Sequence, residues 1–558
     1  MNTPDFKPQF LLGDLFRDGT DRTLGVTLVL LFMFVGIFHV GLILTEYMQE
    51  DALITMRTSF NLADHGEYTF NLGEGYPGAT SLLYGHYVAG VRVLFGDFAI
   101  LAVSILNVGF AMVAAHLLAL SVVPRQMAHD ETRAGYMYML VFMVAGLAPA
   151  MMRAAASGME TPILIFCMAA ALFFVARRQP FALACVLAVL PFVRIDAVSF
   201  ALIVVAVVAL FRLRDAMIAL IGVVVGVGAL LMTNVAVFDA IMPLTAQAKE
   251  IAYQPARDMT SVLARGLETF FTFSYLPGIT SKFIGPILYA AIGFVFFAAA
   301  FMTAIKYIPM GIDALGRYRH QMMTKIINFD AVARQTIDAP ILIMALAALM
   351  VPAAYVYGGV LFFWYLWPFS VLATLVLLDA VSARFELGLK SFISIAAILT
   401  LVGAFNIATH INIGAQESGF RAFIGTDIKN RAAEDDTLFL EPAGYIPYFA
   451  EIESWDTIGL ASPRVLPYRK DIDNQNWWFD FAEGEKPTFI LERKPIHDGG
   501  PADGGYVLSA SEREWFNQNY ALQNHYRYDA YLSVNRGLFT PLLRLGSHSD
   551  YYLYRLRP

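Results

Sequence analysis

The chain has 558 residues, 58% of them hydrophobic and 15% charged, with a mean hydropathy of +0.57. Soluble domains carry about a quarter charged residues, so these totals exclude an ordinary soluble protein and point to a polytopic membrane protein among membrane lipids. The net charge of −7 excludes little, because in a membrane protein the placement of each sign outweighs the sum, and no nucleic-acid partner is expected.

Residues 1–23 are polar and acidic, with no small-residue cleavage site before the first apolar run. That run therefore reads as a retained anchor behind a cytoplasmic tail. About 20 apolar residues cross a bilayer. Candidate spans fall near 24–45, 97–122, 135–152, 160–176, 181–211, 216–238, 283–304, 338–356, 365–382 and 391–408. The stretch 181–211 is too long for one helix and is interrupted by "PFVRIDAV", so it divides in two and gives 11 spans. Cys167 and Cys185 lie in these apolar runs and read as small packed residues, not a disulfide.

With the N-terminus inside, the inner segments collect 16 Lys and Arg, against eight in the longer outer loops, the tail aside. The positive-inside rule then places the first loop, 46–96, and everything after 408 outside. Within that loop, the glycine-rich and aromatic stretch from 64 predicts helices lying along the outer surface over a cavity, not a second span. The tail, 409–558, alternates short apolar pieces such as "DTLFLEPAGYIPYF", "KPTFILERK", "GGYVLSASEREWF", "YDAYLSV" and "DYYLYRLRP" with Gly, Pro and Asp. That pattern predicts an extracytoplasmic α/β or α+β domain.

Several outer stretches hold chemistry-bearing residues. In "QEDALITMR", a helix would put Glu50, Ile54 and Arg57 on one face and Asp51 with Thr55 on the next. Adjacent carboxylates suit a general base, since each raises the other's proton affinity, or a grip on a divalent cation. They equally suit a solvated helix start. "MMRAAASGMETP" carries Arg153 and Glu160, and "LPFVRIDAV" carries Arg194 and Asp196, at similar depth. Ionisable groups there are costly and read as functional, or as a structural pair such as Arg194 with Glu160. Lys249 in "MPLTAQAKEIAY" suits an outward phosphate anchor or an interfacial lysine. The aromatic stretch "YVYGGVLFFWYLWPF" reads as an interfacial belt or a sugar-stacking wall. No P-loop, dinucleotide glycine fingerprint, HExxH or GxSxG is present.

Taken in order, these segments resemble the membrane glycosyltransferases of the GT-C superfamily, and especially the polyprenyl-phosphate-dependent branch that includes the mycobacterial terminal arabinofuranosyltransferases. The family's acidic pair, Arg and "FNPGE"-like stretch are matched by "EDALITMRTSFNLADHGEYTFNLGEG". Its "GGMET" is matched by "SGMET" at Ser157–Thr161, its Arg-Pro-acid corner by Arg194–Asp196, its "PNTYYAK" by the loop ending at Lys249, and its "DxxGL" by Asp456–Leu460. The likeness runs from residue 46 to about 465. Departures are Glu50 where the family has Asp, Pro77 for a glutamate, Leu82 for a proline and Leu244 for an asparagine. They bear on the sugar and acceptor more than on the chemistry.

The resemblance implies a transmembrane catalytic domain over 24–408 in a bacterial inner membrane, with its active site in the periplasm. A single sugar, such as arabinofuranose, would pass from a polyprenyl-phosphate donor to a hydroxyl of an envelope glycan or glycolipid. The implied roles are Asp51 as general base, with Glu50 sharing that role, and Arg57, Arg153, Glu160, Arg194, Asp196 and Lys249 binding substrate. No cofactor is required, and a divalent cation has only the acidic pair to support it. The rival readings are a polytopic transporter and a non-catalytic envelope scaffold. A transporter usually shows related halves, and none is visible in this chain.

Overall fold

A computed structural model describes residues 19–122, 131–241, 244–253, 298–306, 339–358, 362–382, 389–469, 476–502, 505–535 and 549–558, with a few single residues between 258 and 295. The membrane half is built from α1 (Gly19–Ile43), α4 (Ala99–Val122), α5 (Glu131–Leu147), α6 (Pro149–Ala156), α7 (Thr161–Arg177), α8 (Pro180–Val193), α9 (Val198–Phe211) and α10 (Leu213–Phe238). It continues through α12 (Ala339–Gly358), α13 (Trp367–Ser382) and α14 (Leu389–Gly414). Between α1 and α4 lie α2 (Glu50–His65) and α3 (Leu82–Phe95), and α11 (Leu244–Tyr253) follows α10.

Among the described residues, five helical stretches are long and apolar enough to cross a bilayer, six if a bent pair is one span, and four shorter apolar helices accompany them. This is an integral membrane protein, mostly helical. The count of 11 is not reproduced, and most of the run 283–304 lies outside the described residues. Three expectations change in detail. The run 135–152 is two helices, α5 and α6, meeting at 54°, because Pro149 at the first position of α6 has no N–H to continue the ladder behind it. The helix α3 runs on through one 3-10 turn into α4 as a single stretch, Leu82–Val122. Cys167 is buried as expected, but Cys185 is exposed on α8, and both are free.

The division of 181–211 holds: α8 and α9 meet at a 3-10 corner, Ile195–Ala197. Small residues set the packing behind that corner. A Cβ on Gly222 or Gly226 of α10 would lie 2.2 Å or 2.3 Å from the carbonyl oxygen of Ala184 or Ala188 on α8. That i, i+4 glycine pair lets the two backbones touch, as small-residue stripes do in membranes.

The last membrane helix does not stop at 408. From Leu389 it continues through α14, a π-helical stretch at Ala415–Arg421, and α15 (Ala422–Arg431), a single element of 43 residues. Its far end supplies Ala415, Phe420, Ile424 and Ile428 to the core of the C-terminal domain. That domain holds a five-stranded sheet of order β2-β1-β3-β5-β4, from β1 (Thr437–Leu440), β2 (Glu453–Asp456), β3 (Phe489–Glu492), β4 (Tyr520–Tyr526) and β5 (Tyr551–Leu556). β1 pairs in parallel with β2 and β3, while β5 pairs antiparallel with β3 and β4.

Both faces of the sheet are covered. Leu438, Leu440, Phe489 and Leu491 point to the helix-end core, and Phe439 and Ile490 to a second core with Trp478, Phe481 and Phe516. This alternation with apolar residues on both sides is why "TLFL" and "FILE" read as unbroken apolar runs. "YDAYLSV" is helical, as α19 (Tyr528–Asn535), following α16 (Tyr445–Ala450), α17 (Trp477–Glu485) and α18 (Ala510–Asn519).

Candidate active site

On the side of the C-terminal domain, these elements enclose a cavity of about 40 Å³, lined by Asp51, Ile54 and Thr55 of α2, Gly78 and Thr80 of the following loop, and Met159 and Glu160 before α7. Arg194, Lys249, Trp364, Tyr365 and Leu460 complete its wall. Four of the eight residues singled out from sequence therefore meet: Asp51, Glu160, Arg194 and Lys249.

Asp51 sits in the first turn of α2. Its carboxylate accepts no hydrogen bond from the described residues, and burial pushes its pKa up to about 6. Lys249 opposes that rise, while Glu50, Glu160 and Asp456 add to it. Lys249 comes from the short α11, and its Nζ donates to the Tyr365 hydroxyl at 3.0 Å. Burial disfavours the Lys249 charge, but Tyr365 and Asp51 outweigh burial and hold its pKa above the usual lysine value.

Arg194 is the most tightly held group. Its Nη1 meets Glu160 Oε1 at 2.9 Å, and its Nε and Nη2 grip the two oxygens of Asp196 at 3.0 and 2.6 Å. The Tyr365 ring lies 4.2 Å below the guanidinium, and Tyr355 donates to Asp196 in turn. The Arg194–Glu160 pair foreseen from sequence is thus real, and it lines the cavity as well. Three of the five N–H groups of a guanidinium are engaged, which leaves two for a ligand. Asp196 is a support for Arg194 and does not line the cavity.

Three candidates lie elsewhere. Glu50, adjacent to Asp51, turns away: its Oε1 accepts from the backbone N–H groups of Gly444 and Tyr445 at 2.7 and 2.9 Å, and its Oε2 from Arg421. Burial works against the Glu50 charge, but Arg421, Glu417 and the Tyr445 N–H outweigh it and hold the pKa below the ordinary value. Successive residues of a helix project about 100° apart, so adjacency in the chain separates these two acids. Arg57 donates to the carbonyls of Phe70, Pro447 and Ile452 and to Asn71, and so ties α2 to the C-terminal domain. Arg153 is buried in α6 against Asn406 of α14.

Sequence reasoning did not select Thr55, Thr80, Trp364, Tyr365 or Leu460 as site residues. Thr55 was on the page as the residue sharing a face with Asp51, and Trp364 and Tyr365 belong to the aromatic stretch that also read as a belt. Leu460 arrives from the C-terminal domain on the "DTIGL" turn. That turn is braced by Asp456, which accepts from the N–H groups of Leu460 and Ala461 at 2.9 and 2.7 Å. Gly78 packs beneath it at φ +65, with room for a Cβ only 3.1 Å from the Leu460 carbonyl. Among the described residues, no group of three or more His, Cys, Asp or Glu is placed to hold a metal ion.

Beside this cavity, and sharing Thr80 with it, is a narrow cleft lined by Tyr68, Pro77, Leu82, Pro191, Phe192, Leu230 and Phe238 among others. It lies between the first loop and the C-terminal ends of α8 and α10.

The fold is similar to that of ArnT from Cupriavidus metallidurans in the apo state, with 13% identity and a TM-score of 0.50 over 95% of this chain and 98% of that one. The Archaeoglobus fulgidus oligosaccharyltransferase, solved with a tethered acceptor peptide containing the NVT sequon, is also similar, at 10% identity and a TM-score of 0.48 over 89% of this chain and 72% of that one. Residues 410–554 match a domain of unknown function, DUF8728. No curated protein matches the sequence.

Proposed function

We propose that the chain is a GT-C-type glycosyltransferase that moves a single sugar from a polyprenyl-phosphate donor to a hydroxyl of an envelope glycan or glycolipid. The site would face the periplasm of a bacterial inner membrane. The observation that carries this reading is the meeting of Asp51, a carboxylate that accepts no hydrogen bond from the described residues, with two cations, Lys249 and Arg194, in one cavity beside an apolar cleft. The ArnT-like fold and the motif order of the sequence agree with it.

In this reading the donor's hydrocarbon enters along the cleft and its phosphate faces Lys249 and the two remaining N–H groups of Arg194. Asp51 takes the proton from the acceptor hydroxyl as that oxygen bonds to the anomeric carbon. The bond from that carbon to the phosphate oxygen breaks, and the lipid phosphate leaves with the electron pair, its added charge stabilised by the two cations. Attack opposite the leaving group inverts the anomeric configuration. A pKa of about 6 on Asp51 leaves it mostly ionised at neutral pH yet more basic than an ordinary aspartate.

The test is incubation of the purified protein with a panel of polyprenyl-phosphate sugars, a pentofuranose among them, reading release of lipid phosphate and the linkage formed. Consumption of one donor, lowered roughly 100-fold or more in Asp51→Asn, is expected. No donor bound or consumed with any acceptor sinks the reading.

A further inference from the structure

The C-terminal domain reaches the cavity from two sides, and the chemistry above explains neither contact. On the side of the base, Arg421 bonds to Glu50 and also to Glu417, one helical step behind it, while Glu50 accepts the first N–H groups of α16. Glu50 opens α2, so the anchored residue is the immediate neighbour of Asp51. The contact is built for close approach: a Cβ on Gly444 would lie 2.1 Å from the Glu50 carbonyl oxygen. The π-helical stretch 415–421 carries both Glu417 and Arg421, and such insertions re-aim side chains where an uninterrupted helix would not.

On the side of the cations, Arg469 stacks over Trp477 at 4.4 Å. It donates to the Thr457 carbonyl and, from Nη2, to the Ala252 carbonyl at 3.2 Å. Thr457 belongs to the turn whose Leu460 walls the cavity. Ala252 lies in the last turn of α11, three residues beyond Lys249. A cation there satisfies an end carbonyl and suits the helix dipole. At 10 residues, α11 would be marginal as an isolated helix, so its packing through Thr245 and Ala248, and the Arg469 contact at its end, help set where Lys249 points.

We propose that the C-terminal domain is a working half of the reaction centre, with Arg421 the positioning residue for Asp51 and Arg469 the positioning residue for Lys249. The inference rests on the reaction proposed above. Neither arginine touches substrate; each acts by fixing a backbone from which a reacting or phosphate-holding group projects. Displacements of about 1 Å at such groups cost on the order of 100-fold in rate.

The experiment uses the full chain in phospholipid nanodiscs, with Arg421→Gln, Arg469→Gln and Arg469→Lys. Two readouts are taken: steady-state kinetics with the donor the parent protein consumes, and backbone hydrogen exchange of α2 and α11. Arg421→Gln is expected to lower kcat on the order of 10-fold or more with donor KM little changed. Arg469→Gln is expected to raise donor KM by a similar factor with a smaller loss in kcat. Arg469→Lys recovers part of the loss, because an ammonium still reaches one of the two carbonyls. Exchange should quicken in the first turns of α2 for Arg421→Gln and in α11 for Arg469→Gln. Equal kinetic losses in both variants, or unchanged protection of both helices, overturn the proposal. If the parent protein consumes no donor, the reaction fails as a reading, and the exchange pattern alone still decides the positioning. Should Arg421→Gln not fold, Glu50→Gln replaces it, since it keeps the hydrogen-bonding shape and removes one charge.

Discussion

Two neighbouring carboxylates, Glu50 and Asp51, live in opposite surroundings. Around Glu50, three donors from the C-terminal domain bond to its two oxygens and outweigh burial to hold its pKa low. Around Asp51 there is burial, a cavity and a cation, but no hydrogen bond from the described residues, and its pKa rises to about 6. A carboxylate held by several donors braces structure, whereas an unbonded one retains its basicity for a ligand. In the reaction proposed above, the acid assigned as base is the one that accepts no hydrogen bond from the described residues.

The sharpest way to break this contrast is substitution of each acid in turn. Asp51→Asn should lower lipid-phosphate release by roughly 100- to 10,000-fold, the usual weight of a general base, and leave the thermal unfolding midpoint unchanged or higher, since it removes a buried charge that has no hydrogen bond. Glu50→Ala should do the reverse in stability, costing about 3 kcal/mol, because Arg421 and two N–H groups lose their buried partner. If Glu50→Ala unfolds no earlier than Asp51→Asn, the contrast is wrong.

Next in size is Lys249→Met, expected to raise donor KM by roughly 10- to 100-fold, as for loss of one member of a buried charge pair. The pH profile follows from the sign of the Asp51 shift. A base works only when deprotonated, so kcat should climb as pH rises through about 6 and level off above it. Because Lys249 is the influence that lowers the Asp51 pKa, its removal should move that midpoint upward. Titrating the variant beside the parent checks this, and a midpoint moving down would refute the assignment. The smallest effect expected is Gly78→Ala, which forces an L residue to φ +65 beneath Leu460. A loss of about 1–3 kcal/mol, read by thermal unfolding, would show how firmly the "DTIGL" turn closes the wall.

The sequence made the membrane half and the two-sided strands of the tail legible, because apolar length and alternation are written locally. It also brought Asp51, Glu160, Arg194 and Lys249 together by their order along the chain. What it could not show were contacts made across long separations. Helical spacing separates the face of Glu50 and Arg57 from that of Asp51 and Thr55, but only Arg421, Gly444 and Pro447, more than 350 positions away, reveal that the first face meets the C-terminal domain. Arg469 was hidden for the same reason, whereas Leu460 stands in the "DTIGL" motif, which by itself assigns it no place in the wall. The edge strand β4, "YALQNHY", escaped notice because only its two ends are buried. The extension of the last membrane helix beyond 408 was masked by polar composition, since outside the bilayer a helix needs no apolar run.

That helix has a mechanical consequence. Its 43 residues at about 1.5 Å each amount to a rod of roughly 65 Å, rooted in lipid at one end and cemented into the sheet's core at the other. Helical structure therefore runs from the apolar segment into the sheet's core with no loop between them. A chimera exchanging this domain among related proteins would therefore need its splice at or before Leu389, since a cut at the apparent membrane boundary would sever the mast.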